Sequence, residues 1–188
     1  MKDQRPATLQ DFYNDGLLLV LGANLSGSAE ETVTPVLQVV SVQPAGKTID
    51  FLCRNDPGAF TGLLVAAGRE EFEPLQKAFG IEIGLLDQAI RTLPLRGRVE
   101  KALDLTLAWM NDQWQLHGAM ESGKQELKVF VPTQQTGAPQ EVTANQAAFV
   151  GGLLQGLLTW ISSGKFYPIK LKSSDEVIEI LFSRDPLD

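Results

Sequence analysis

The chain has 188 residues, of which 44% are apolar, enough to bury one substantial core and to exclude a small stapled scaffold. Its formal net charge of −7 argues against a domain that grips polyanions by neutralising phosphates, so generic nucleic-acid binding is not expected. One cysteine, Cys53, excludes an intramolecular disulfide and a Cys-rich zinc site and suits a reducing, cytoplasmic setting.

Met1 to Ala7 is polar, and the apolar run Leu17–Leu21 is too short for the core of a signal peptide. Thr8–Leu21 reads as a helix capped by Thr8, because Leu9, Phe12, Tyr13, Leu17 and Val20 approximate a helical stripe that Gly16 weakens. A Gly/Ser/Asn-rich loop over Gly22–Glu31 precedes two β-branched segments, Val36–Val42 and Thr48–Arg54. With Gln43–Lys47 between them they read as a hairpin. The turn signal Asn55-Asp56-Pro57-Gly58 leads into a helix over Ala59–Phe79 with Gly80 as its C-cap, and Pro74 should kink that helix or split it.

A short helix over Leu85–Leu93 stops before Pro94, and a longer one follows over Arg98–Asn111. Its Val99, Ala102, Leu103, Thr106, Leu107 and Met110 recur at helical spacing and give one face to bury. The densest basic group, Arg91, Arg96, Arg98 and Lys101, gathers around its start; a solvated stretch leading into a helix explains it about as well as an anion site. The period then changes to two: Trp114, Leu116, Gly118 and Met120 on one strand, Leu127, Val129 and Val131 on the next, across the turn Glu121–Lys124. Val131–Thr143 is a polar loop of the length that is often mobile or functional.

Phe149–Ile161 is apolar and studded with glycine. Spanning a bilayer takes about twenty predominantly apolar residues, so this shorter run, interrupted by Gln155 and Thr159, reads as a buried helix. Gly151, Gln155, Thr159 and Ser162 form a narrow polar stripe along it. Gly152 and Gly156 share a face and admit a close neighbour, either another backbone or a flat apolar ligand. Two strand-like segments, Tyr167–Leu171 and Val177–Phe182, close the chain.

Four segments carry a resemblance: Val99–Leu105 followed by Trp114-Gln115-Leu116, then Leu127–Val131, the glycine-bearing Ala148–Leu158, and Glu176–Phe182. Over residues 99–182 the chain resembles the superfamily that joins vinyl-reductase-type ligand-binding domains to the small subunits of the TRAPP vesicle-tethering complex. The resemblance implies an α/β (α+β) fold in which an antiparallel sheet of hairpins packs with a layer of helices. It also implies a non-enzymatic binding or adaptor module, homodimeric, with a hydrophobic small molecule or acyl chain in an apolar pocket beside the 149–161 helix. Phe149, Gly152, Leu153, Gly156 and Trp160 are the candidate ligand-binding or helix-contact residues. The whole chain reads as one domain, and the sequence does not place residues 1–60 in that fold. The cysteines that metal-binding members carry near the closing hairpin are absent from Lys165–Arg184, which argues against zinc, and Cys53 reads as an inert buried thiol.

No catalytic constellation emerges. His117 is the single histidine and alternates with Leu116 and Gly118, as an exposed strand residue would, with no nucleophile elbow to serve. The adjacent pairs Glu30-Glu31 and Glu70-Glu71 point to different sides of any regular element and read as solvated helix starts. Gly22–Gly27 lacks the spacing of a phosphate loop. No cofactor is identified, and a hydrophobic ligand is the open possibility. The alternatives are an enzyme or accessory protein of tetrapyrrole or lipid metabolism, and a structural subunit that docks through Val131–Thr143.

Overall fold

In the computed structural model the described residues are Leu9, Phe12, 57–133, 144–174 and 176–187. Of the expected Thr8–Leu21 helix only Leu9 and Phe12 fall among them, both helical and buried. The hairpin of Val36–Val42 and Thr48–Arg54, Cys53 and most of the Val131–Thr143 loop lie outside them.

Helix α1 spans Pro57–Ile83. Pro57 stands at its first position, where a missing N–H costs nothing. Pro74 does not split the helix: it lies on the exposed side, as does Glu70, so water reaches the carbonyl that loses its partner. Nor is Gly80 the cap. The chain leaves the helix at Gly84, whose φ of 84° only glycine adopts without cost, and Leu85 N–H donates back to the Gly80 carbonyl at 2.9 Å. That turn drives Leu85 into the core and leaves α2, Gln88–Arg91, as a single turn capped by the Asp87 carboxylate on Ala89 N–H, where a helix over Leu85–Leu93 was expected.

Helix α3 spans Leu95–Trp114, and all six residues of its expected inner face are 5% exposed or less. It overruns the strand expected to start at Trp114. Gln115 leaves it in the left-handed region at φ 52°, His117 follows at 53°, and β1 is only Ala119–Ser122. Asn111 holds this junction, its side chain both donating to Gly118 O and accepting from Gly118 N–H. Strand β2 covers Glu126–Pro132, helix α4 Ala144–Ile161, β3 Ile169–Ser173 and β4 Val177–Ser183. β3 starts two residues later than expected; before it, Phe166 instead bridges to Leu187.

The strands form one antiparallel sheet in the order β1-β2-β4-β3. Strict alternation on β2 and its register with β4 set Leu127 beside Phe182, Val129 beside Ile180 and Val131 beside Ile178, all facing the helices. The chain is thus an α+β fold, an antiparallel sheet packed with helices, as expected. At the far end of α1 and α3, Phe12, Phe79, Trp109 and Trp114 form an aromatic cluster with centroids 5.0–6.2 Å apart, and Trp109 Nε1 donates to Glu82 at 2.7 Å. Among the described residues no helix is long and apolar enough to cross a membrane.

Candidate functional site

Helix α4 lies between α1 and the sheet, which is why nearly every residue from Gln146 to Leu158 is buried. Its glycines explain the sandwich. A β-carbon on Gly151 would meet Ile169 Cδ1 at 2.7 Å on the sheet side. One on Gly152 would overlap the Val65 carbonyl of α1, and one on Gly68 of α1 would overlap the Phe149 carbonyl of α4. The two helices therefore cross backbone to backbone through a reciprocal pair of glycines. The polar stripe is used internally: Gln155 Nε2 donates to Tyr167 O at 2.7 Å, and the Thr159 hydroxyl to Gln155 O at 3.0 Å.

This geometry separates the five residues singled out in the sequence. Phe149, Gly152 and Leu153 are enclosed in the helix crossing. Gly156 and Trp160 line an open groove of about 560 Å³ between α1 and the end of α4, where Trp160, 37% exposed, lies 6.0 Å from Phe72. Arg69, Glu70, Glu73 and Lys77 also line the groove, where the Glu73–Lys77 and Arg69–Glu70 pairs lie along its α1 wall at 2.5 and 3.9 Å. An apolar pocket beside the 149–161 helix was expected. At Gly152 the α1 backbone occupies that space, and what opens farther along the helix is a groove that combines Phe72 and Trp160 with charged side chains of α1.

A second cleft, of about 330 Å³, opens where the start of α3 meets the end of β4. Leu95, Val99, Leu127 and Pro186 form its apolar wall, and Arg96, Lys165, Tyr167 and Arg184 supply its polar groups. The first turn of α3 adds to this positive edge: Pro94 offers no side-chain acceptor to the helix, and the leading N–H groups of a helix have no intrahelical partner and carry a partial positive charge. Near Tyr167, close enough for its charge to act on the phenol, stands Arg98, which does not itself line the cleft and whose buried Nε–H has no hydrogen-bond partner among the described residues. Burial pushes the Tyr167 phenol upward, and the hydrogen bond with Ser162 and the Arg98 charge oppose the rise.

One carboxylate serves this cationic group. Glu100 Oε1 accepts from Ser122 Oγ at 2.7 Å, from Arg184 Nη2 at 2.5 Å and from Arg96 Nε at 3.3 Å. Arg184 also donates to Ser122 Oγ and, through Nε, to Gly123 O at 2.6 Å. The hydrogen bond from Ser122 and the guanidinium of Arg184 hold the Glu100 carboxyl down at about 2. A carboxyl depressed by folding adds stability above its unfolded value near 4.5 and loses that contribution as pH falls toward 2. With solvent screening allowed for, about 1–2 kcal/mol of stability is expected to disappear between those pH values. Urea melts of wild type and Glu100→Gln along a pH series read it: the gap between them should shrink over that window, and a gap constant with pH contradicts the assignment.

The other sequence candidates do not join this cleft. His117 is exposed on the turn after α3 rather than on a strand. Glu70 and Glu71 do lie on different sides of α1, but Glu71 is buried and partnered where a solvated acid was expected. Arg96 and Arg98 belong to the basic group legible in the sequence, whereas Lys165, Tyr167, Arg184, Glu100 and Ser122 come from segments with no signal of their own.

No protein-family model matches the chain, and no curated protein does. Solved structures similar to it are H-NOX domains. One, described as giving insight into the mechanism of H-NOX activation, is 9% identical with a TM-score of 0.44, over 96% of this chain and 92% of the other. Another, probing the function of heme distortion, is 9% identical with a TM-score of 0.43, over 96% and 91%. An oxygen-binding H-NOX domain related to soluble guanylate cyclases is 12% identical with a TM-score of 0.36, over 95% and 90%. At these values the likeness transfers neither ligand nor mechanism to this chain. It does correct the sequence reading. The chain's structural neighbours are H-NOX domains where vinyl-reductase-type domains or TRAPP small subunits were expected, and the hydrophobic-ligand adaptor inferred from that resemblance falls with it. Nor do these neighbours carry the expectation of no cofactor with a hydrophobic ligand as the open possibility: one of them was studied for its heme.

Proposed function

We propose that this chain is a binding module for a compact organic anion, a phosphate or carboxylate group on a small apolar body, held in the cleft at the start of α3. The observation that carries the reading is the pair Arg96 and Arg184, which line the cleft from two separate segments and share one carboxylate, Glu100, so positive charge remains for an anionic ligand. The surroundings support it: Arg98 places a further positive charge near Tyr167, the uncapped turn of α3 favours negative charge, and the apolar wall suits the body of such a ligand. At about 330 Å³ the cleft is at the small end of metabolite sites.

Calorimetric titration with phenyl phosphate and benzoate tests the reading. Saturable binding that weakens with salt is expected, and Arg96→Met should weaken it by about tenfold or more, since it removes a cleft-lining charge and keeps the stem. A cytoplasmic setting belongs to the same reading, supported by the lone Cys53 and checked by cell fractionation.

Haem, the group named for one of the H-NOX structures, does not fit the described residues. Its iron needs an axial His, Cys, Met or Tyr. His117, the chain's single histidine, is exposed and lines neither cleft. Burial raises the Tyr167 phenol and so disfavours the phenolate that would ligate, Met110 is sealed in the core, and Met120 packs against that core and lines neither cleft.

A further inference from the structure

Arg184 joins three separate segments: the end of β4, the β1–β2 turn through Ser122 and Gly123, and α3 through Glu100. Its side chain is 12% exposed, so those bonds fix it rather than leave it to sample solvent. They use Nε and Nη2. A guanidinium has five N–H donors, and the two on Nη1 have no partner among the described residues, on a side chain that lines the anion cleft. Ser122 and Glu100 do not line the cleft, yet together they determine where the Arg184 guanidinium stands. The turn is closed in its backbone by Gly123 N–H on Glu126 O at 3.0 Å and Arg184 N–H on Gln125 O at 2.9 Å, and beyond these it depends on the Arg184 side chain.

We propose that Ser122 and Glu100 are positioning residues for the anion site and that the β1–β2 turn is its readout: a ligand on Arg184 Nη1 and the closed turn on the other side of the same guanidinium stabilise each other. The inference rests on the anion-binding reading above. Coupling of this kind is reciprocal: the ligand favours the closed turn by the same factor by which closing the turn strengthens the ligand, so opening the turn weakens the ligand by up to that factor. Glu100 does not compete with the ligand, because it occupies a different edge of the guanidinium. The turn lies at the edge of the sheet on a short strand, and such elements open locally at little cost, which leaves a range over which ligand can act.

The experiment is hydrogen exchange on the full chain with phenyl phosphate as probe, alongside calorimetry of the same samples. With saturating probe, exchange at the Gly123 and Arg184 amides should slow by about fivefold or more, while the β3–β4 turn, closed by Ser174 N–H on Val177 O, should keep its rate. Ser122→Ala should weaken the probe by about three- to tenfold, the value of one lost hydrogen bond, and Ser122→Thr should restore both affinity and protection. If the probe binds and both turns slow equally, or if Ser122→Ala binds as tightly as wild type, the coupling is wrong and the anion site stands. If the probe does not bind wild type at all, the anion site itself is wrong.

Discussion

Gly152→Ala is expected to cost about 3 kcal/mol or more, near the upper end of overpacking penalties, because its new methyl lands on the Val65 carbonyl of α1 and neither backbone can rotate away as a side chain would. For a chain of this size that is a drop of about 6–12 °C in melting temperature. Gly68→Ala should do the same from the opposite helix, where the obstruction is the Phe149 carbonyl. The double variant should cost less than the sum of the two, since one separation of the helices relieves both clashes. Gly156→Ala meets the Phe72 Cβ at 2.6 Å, the Phe72 ring at 3.1 Å and the Arg69 carbonyl at 3.1 Å, so its cost should be smaller only because the overlap is shallower, the Phe72 Cβ being fixed to the α1 backbone. Thermal melts of the four proteins read this directly. A Gly152→Ala protein that melts with wild type would show that α1 and α4 do not cross at these glycines.

The second large effect is at Phe149. It is fully buried in the main apolar cluster, and Phe149→Ala should cost about 3–5 kcal/mol through the transfer loss and the cavity it leaves. Trp160, eleven positions further along and 37% exposed, should cost no more than about 1–2 kcal/mol when truncated to alanine, because much of its ring already meets water. Denaturant melts give both. A pair of similar losses would mean that α4 is enclosed to its end and that the groove beside Trp160 is closed.

The helix at Arg98–Asn111 was legible because a single face repeats without interruption and every member of that face is buried. Helix α4 was legible for the opposite reason: it is apolar all round, and such a helix must be covered on most sides. What the covering consists of was not legible. Gly152 and Gly156 signal a close approach, which the sequence attributes to helix packing before a ligand, but their counterpart Gly68 sits in α1 within a run that has no glycine spacing to match, so the partner helix was not legible. The strand expected from Trp114 failed where alternation over Trp114, Leu116 and Gly118 coincided with the end of a helix, and a left-handed residue at Gln115 decided the matter. The family resemblance failed differently: apolar, glycine-bearing segments are compatible with more than one arrangement of helices on an antiparallel sheet.

The anion cleft shows the limit most plainly. Arg96 and Arg98 stand out in the sequence as a basic group, with no means of telling a solvated helix start from a site. What separates the two is Arg184, brought to them by the β4–β2 pairing and the turn it clasps. Its contacts span 84 residues to Glu100 and 61 to Gly123, and no local pattern encodes them.

The most direct measurement is calorimetric titration of wild type and Arg96→Met with phenyl phosphate at low and at physiological ionic strength. A cleft lined by Arg96 and Arg184 predicts one saturable site in wild type, weaker at the higher salt and weaker again by about tenfold or more in Arg96→Met. Equal affinity in the two proteins, or no binding by wild type at millimolar probe, contradicts it.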